Sequence, residues 1–150
     1  MHFDMNSVST IESDIIAAPT VTEVRLPMGL LGFERIKEYL LISNPGEEPF
    51  EWLQVKDNAA LAFVVIDPFI ALPEYQPDIP QADVEFLDLE NPQDALLFNI
   101  VTVYGPKRAT VNLKGPVVFN RRTLVGKQVV LANAAAYSIQ HPLSVGEPVA

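Results

Sequence analysis

The sequence predicts an all-β protein: a single compact antiparallel β-barrel-like domain with one or two short helical turns. Three observations carry this. The apolar run Leu61-Ala62-Phe63-Val64-Val65-Ile66 is too short for a buried helix, ends in three β-branched residues and stops at Asp67-Pro68, so it reads as a strand buried on both faces. Short β-rich runs recur between turn residues such as Asn44-Pro45-Gly46, Gly105-Pro106 and Lys114-Gly115-Pro116, the spacing of a barrel or sandwich. Prolines at 68, 73, 77, 80 and 92 exclude long regular elements from that region.

Composition agrees with one domain. A chain of 150 residues has room for one sizeable core, and 49% hydrophobic with 19% charged residues lies outside the disordered class. No apolar run approaches the ~20 residues of a membrane helix. The N-terminal region carries Asp4, Glu12 and Asp14 and no Lys or Arg before Arg25, unlike a secretory signal. The absence of Cys excludes disulfides, thiol nucleophiles and thiolate-bound metal. The expectation is a cytoplasmic protein.

Residues 1–18 show no sustained period and read as a flexible tail, 19–143 as the domain and 144–150 as a C-terminal tail. Thr20 to Leu26 alternates, with Val and Leu on one face, as a half-buried strand does. Pro27-Met28-Gly29-Leu30-Leu31-Gly32 is a turn-rich bend, and Phe33 to Tyr39 is expected to form a helical turn with Phe33, Ile36 and Leu40 inward. Strands follow over 39–43 and 50–56, the second with Trp52 in the core. Pro80 suits the first turn of a helix over 81–89, although Val84 and Phe86 fit a strand equally. Asn91-Pro92-Gln93-Asp94 is a turn. Ala95 to Tyr104 is a long strand beside the central one, and shorter strands continue over 109–113, 116–120 and 126–132. The segment after Ala134 leaves two courses open, a strap across a barrel opening or a frayed end.

Charge is segregated. The formal net charge is -9, and between Lys56 and Lys107 nine acids occur with no basic residue. Lys107, Arg108, Lys114, Arg121, Arg122 and Lys127 then follow without an acid among them. Either the two segments neutralise each other across the sheet, or the first forms an acidic docking face.

Catalytic chemistry has little to stand on. His2 and His141 make no defensible dyad, and no phosphate loop, dinucleotide fingerprint or Gly-x-Ser-x-Gly occurs. No catalytic residue, metal or cofactor is expected, and the protein reads as a non-enzyme. A sugar-binding barrel using Trp52, Tyr75 and nearby carboxylates is the alternative; a hydrolase built on two of the acids has no spacing to support it. Arg121-Arg122 with Lys114, Lys127 and a stacking Phe119 is the only nucleic-acid candidate, and the net charge opposes it.

Six blocks resemble the FliW family of bacterial flagellar assembly factors: Leu26-Pro27-Met28-Gly29-Leu30-Leu31-Gly32-Phe33-Glu34, Phe50-x-Trp52-Leu53-Gln54-Val55, Ala62 to Phe69, Asn112 to Asn120, Gly126 to Leu131, and Tyr137 to Leu143. The resemblance implies a non-enzymatic, barrel-like cytoplasmic protein with two protein partners, flagellin and the basic RNA-binding regulator CsrA, and no contact with nucleic acid or membrane. Flagellin is held before export; its departure releases the FliW-like protein to capture CsrA and lift repression of flagellin synthesis. With the acidic middle, this makes Asp67, Phe69, Ile70, Leu72, Tyr75, Asp78, Asp83 and Glu85 the candidate partner-binding residues. The acids would steer a basic partner and the apolar residues would anchor an amphipathic helix.

Overall fold

Alternation of buried and exposed side chains begins at Thr20, and so does the sheet. The computed structural model describes residues 18–144; the expected tails lie almost wholly outside that range. Nine strands form: β1 (Thr20–Arg25), β2 (Glu38–Ser43), β3 (Phe50–Val55), β4 (Asn58–Ile66), β5 (Ala95–Gly105), β6 (Arg108–Val111), β7 (Val117–Asn120), β8 (Gly126–Gln128) and β9 (His141–Leu143). Two short helices, α1 (Pro68–Ala71) and α2 (Gln81–Phe86), lie between β4 and β5.

Every strand ladder is antiparallel, in the order β1-β2-β3-β4-β5-β6-β9, with β7 on β5 and β8 on β7. The long strand β5 organises the topology. Its first half pairs β7, from Ala95↔Asn120 to Phe98↔Val117, and its second half pairs β6, from Val101↔Val111 to Gly105↔Arg108. Between β6 and β7 the chain makes a detour at Asn112, whose Oδ1 accepts from the Lys114 and Gly115 amides at 3.0 and 3.1 Å. The domain is the compact antiparallel all-β one expected, with a sheet that does not close into a barrel. One parallel bridge, Arg25↔Val125, links β1 to the chain just before β8 across the gap.

The sheet has a core on each face. One holds Leu26, Leu30, Tyr39, Leu53, Val65, Val117 and Phe119. The other holds Ile66, Tyr75, Leu87, Val101, Val118 and Val129, covered by the two helices and the C-terminal segment. Adjacent residues of β4 and β7 supply opposite cores because strand side chains alternate. The central strand is fully buried only at Val65 and Ile66; Leu61 to Val64 are partly exposed, where both coverings end.

Three further expectations are corrected. Phe33 to Tyr39 forms no helix: the Leu26 amide bonds the Lys37 carbonyl at 2.8 Å, closing a loop that an ongoing helix could not span, and Tyr39 rather than Leu40 is buried. The described part of the segment after Ala134, to residue 144, is ordered against the sheet edge. It makes a 3-10 turn (Ala134–Ala136) and then β9 on β6. Trp52 is half-buried, not core. The helix anticipated over 81–89 is present but stops at Phe86, because Asp88 takes φ 56°.

Candidate functional site in the acidic middle

The residues between β4 and β5 form a layer over one face of the sheet, and local chemistry explains how it is built. Asp67 ends β4 and caps α1, its Oδ1 accepting from the Phe69 amide at 2.9 Å, while Pro68 occupies the first helical turn. This turns Phe69 and Ile70 outward, 44% and 54% exposed. Leu72 is half-buried.

Tyr75 then dives inward. Its ring meets Phe69 at 5.8 Å and Tyr137 at 4.8 Å between centroids, and its hydroxyl donates to the Leu113 carbonyl at 2.6 Å. Burial raises the Tyr75 pKa to about 12. The segment that follows is tied to the C-terminal region: the Gln76 amide to the Tyr137 hydroxyl at 2.9 Å, the Asp78 amide to Asn133 Oδ1 at 3.0 Å, and the Ala132 amide to the Asp78 carbonyl at 2.8 Å. The Asp78 side chain is left to solvent.

α2 is held from below. The buried Asn120 donates through Nδ2 to the Leu87 and Asp88 carbonyls at 2.8 and 3.1 Å. Asp83 is only 7% exposed and forms an ion pair with Lys127 of β8. Arg122 sits among Asp94, Asp88 and Glu90, at 3.5, 4.0 and 4.0 Å. Amides of Glu90 and Asn91 bond Asp94 and, with Arg122, hold its carboxyl below the usual range.

The charge segregation thus resolves in both ways at once. Asp83 is paired with Lys127, and Arg122 is shared among Asp94, Asp88 and Glu90, whereas Asp67, Glu74, Asp78 and Glu85 have no ion-pair partner among the described residues. Of the eight candidates, Asp67, Phe69, Ile70, Asp78 and Glu85 are exposed. Tyr75 and Asp83 are corrected: an expected surface aromatic is a core residue hydrogen-bonded across 38 positions, and an expected rim acid is an anchor under α2.

That anchor gives a stability prediction. Lys127→Met strands a buried carboxylate and is expected to cost about 2–3 kcal/mol. Adding Asp83→Asn should restore part of the loss, so that denaturant melts of the two single variants and the double give a non-additive cycle. Additive costs would show that the pair contributes no coupling.

Sequence reasoning missed two grooves at the bare end of the sheet. Side chains alternate there along β4 and β5, so Phe63 and Tyr104 face one side while Val64 and Val103 face the other. The first groove, about 340 Å³, is flanked by Leu31, Phe33 and Ile139 over Asn112 and Gln128. The second, about 500 Å³, is lined by Phe50, Trp52, Val64, Val103 and the turns at 46–48 and 105–106. The only available signal was the alternation itself. Which face a covering element leaves bare is not a local property.

Residues 7–143 match the FliW protein family. The chain belongs to the FliW family. It is 40% identical over 133 residues to the flagellar assembly factor FliW of Syntrophus aciditrophicus (strain SB), covering 88% of this chain and 78% of that protein. Its identity to the flagellar assembly factor FliW of Clostridioides difficile (strain 630) is 36% over 126 residues, 83% of this chain and 96% of the relative. A crystal structure of the flagellar assembly factor FliW matches with a TM-score of 0.73 at 35% identity, covering 83% of this chain and 87% of that one.

The FliW blocks seen in the sequence are largely fold-forming. Leu26 to Glu34 builds the β1–β2 loop, with Gly29 at φ +67° and Gly32 at φ +92°, and Phe50 to Val55 is β3 itself. Asn112 to Asn120 makes the detour and β7. Ala62 to Phe69 alone runs from the central strand onto the exposed start of α1.

Proposed function

We propose that this FliW-family protein acts in flagellar assembly, without enzymatic activity, by binding flagellin in the cytoplasm before export. When flagellin-free, it sequesters CsrA and relieves repression of flagellin synthesis. The observation that carries the reading is the surface left after internal pairing: the exposed carboxylates of Asp67, Glu74, Asp78 and Glu85, without ion-pair partners among the described residues, in the same β4–β5 segment as the exposed Phe69 and Ile70. A negative rim next to an apolar patch suits two kinds of partner. The basic regulator is drawn by charge, and an amphipathic helix of flagellin docks Phe69 and Ile70.

Rim charges act mainly on association rate. Reversing Glu74, Asp78 and Glu85 together to Lys, with Asp83 kept because it is structural, is expected to slow CsrA association about tenfold at low salt. The salt dependence should flatten, and flagellin binding should change less. Stopped-flow association of both partners against ionic strength checks this. CsrA kinetics equal to the parent's would remove the acidic layer as its docking face, and recovery of neither protein on a tagged chain from flagellated cells would remove the function.

A further inference from the structure

The first groove, on the face opposite Trp52, gathers polar groups that the fold itself leaves unused. Strand pairing builds its floor: Thr102 of β5 stands opposite Thr110 of β6, and Asn112 lies two residues on, on the same face. Thr110 is only 7% exposed, yet its hydroxyl has no hydrogen-bond partner among the described residues. Buried polar groups are ordinarily paired, so a hydroxyl left over on a groove floor marks a place where an occupant supplies the partner.

Its neighbours are oriented by bonds they already make. Asn112 Oδ1 accepts from the Lys114 and Gly115 amides, which fixes the side chain and leaves its Nδ2 donors without a partner among the described residues. Gln128 is held at both ends, Oε1 by the Leu31 amide at 2.9 Å and Nε2 by the Gly115 carbonyl at 3.1 Å. The Thr102 hydroxyl and the Gln140 side-chain amide, like that of Thr110, have no partner among the described residues. Aromatic rings flank these groups. Phe33 meets Phe63 edge-on at 5.1 Å, and Tyr104 is 46% exposed, with the Arg108 guanidinium 4.3 Å from its ring centroid.

The lining restricts what fits. No charged residue belongs to it, in a chain where 19% of residues are charged, so the recognised group is neither an anion nor a cation. An apolar occupant would cover the Thr110 hydroxyl and the Asn112 donors without pairing them, which is unfavourable. The Thr110 part of the floor offers an extended peptide no backbone group, because β6 is paired with β5 on one side and with β9 on the other. What remains is a neutral molecule with closely spaced hydroxyls and an apolar face. A pyranose has both: hydroxyls that donate and accept, and a face of C–H groups that packs on the negative face of an aromatic ring. The volume, about 340 Å³, lies in the range of small-molecule sites, about 300–1,000 Å³.

We propose that this groove is a binding site for a neutral pyranose sugar, with Thr102, Thr110 and Asn112 taking its hydroxyls and the rings of Phe33 and Tyr104 taking its C–H face. Neither Trp52 nor Tyr75, the aromatics that the sequence offered for a sugar, belongs to it. The site lies apart from the acidic layer and stands whether or not that layer binds CsrA.

The test is titration of isotope-labelled protein with three neutral probes, methyl β-glucoside, methyl β-galactoside and methyl N-acetyl-β-glucosaminide, read in proton–nitrogen spectra. At least one is expected to shift the Asn112 and Gln140 side-chain amides with saturation. Glucuronate and glucosamine, which carry charge, and an end-capped Ser-Asn-Phe peptide should leave them unchanged. Thr110→Val removes the unpaired hydroxyl and keeps the side chain's shape. It should weaken binding about tenfold, the worth of one hydrogen bond, without lowering the melting temperature. Tyr104→Val, at an exposed strand position, should weaken binding as well, whereas Val103→Gln, its neighbour on the other face, should bind as the parent does. The same sugar O-linked to a short peptide separates the sources: tighter binding than the methyl glycoside assigns the site to a glycan carried on a protein, and equal binding assigns it to a free sugar. The proposal is overturned if no neutral probe saturates, if a charged probe or the uncharged peptide responds equally, if Thr110→Val binds as the parent does, or if Val103→Gln loses binding. A lowered melting temperature for Thr110→Val overturns it too, by giving the hydroxyl a structural partner. Neither CsrA nor flagellin enters this experiment, so its failure and that of the acidic-layer reading are distinguishable.

Discussion

Val65→Asp is expected to leave the chain unfolded at room temperature. Val65 is fully buried on β4, where it contributes to the core made by Leu26, Tyr39, Leu53 and Phe119. An aspartate there loses the burial of the valine, about 1.5–3 kcal/mol, and adds a carboxyl among apolar side chains, whose burial costs several kcal/mol more. The sum is comparable to the whole stability of a typical domain, about 5–15 kcal/mol. The same strand offers the control three residues earlier: Ala62→Asp, at a partly exposed position, should melt much nearer the parent. Thermal melts by circular dichroism read both. A Val65→Asp variant that melts with the parent would mean that β4 is not the buried centre of the sheet.

Gly29→Ala is expected to cost about 3 kcal/mol or more, and it separates two effects that glycines usually confound. Gly29 has φ +67°, a conformation that costs an L-residue about 1–2 kcal/mol. A Cβ there would also stand 2.5 Å from the Phe33 carbonyl oxygen and 2.6 Å from Glu34 Cα. Both are backbone atoms, so the loop itself has to move, and overpacking of this kind adds about 1–3 kcal/mol. Gly32, at φ +92°, has nothing within 4 Å of its notional Cβ, so Gly32→Ala carries the conformational cost alone. Denaturant melts of the two variants should differ by the clash. If they match, the loop accommodates a side chain at Gly29 and the close approach has no energetic weight.

The loop is also where local reasoning reached its limit. Two glycines marked a bend correctly, but the helical turn expected after them required Phe33 and Leu40 to face inward together. In the structure Phe33 instead packs edge-on against Phe63 at 5.1 Å, beside the first groove, and Tyr39 takes the buried place on β2. A one-residue shift of phase, Tyr39 inward in place of Leu40, separates those outcomes. The phase is set by the Leu26 to Lys37 hydrogen bond, which depends on β1 and β2 being neighbours.

The acids tell the same story at longer range. Their clustering between Lys56 and Lys107 was plain in the sequence, as was the opposing basic segment. That Asp83 meets Lys127 while Asp78 and Glu85 meet no cation among the described residues follows from where β8 runs under α2, a juxtaposition 44 residues apart in the chain. Trp52 and Tyr75 exchanged roles for a related reason. Each is an aromatic in an apolar context, but Tyr75 is covered by Phe69 and Tyr137, while Trp52 lines an open groove among the described residues.

What the sequence determined by itself was therefore the class of fold, the positions of most strands and the long β5 beside the central strand. Those depend on side-chain alternation and turn chemistry, whose range is a few residues. The six family blocks were legible for the same reason, being turns and strands. The tertiary structure alone decided that the sheet stays open, which acids remain unpaired, and which apolar faces are left bare. Each of those depends on the packing of elements far apart in the chain, and burial or ion pairing is a property of the whole assembly of strands, with no counterpart in any one segment.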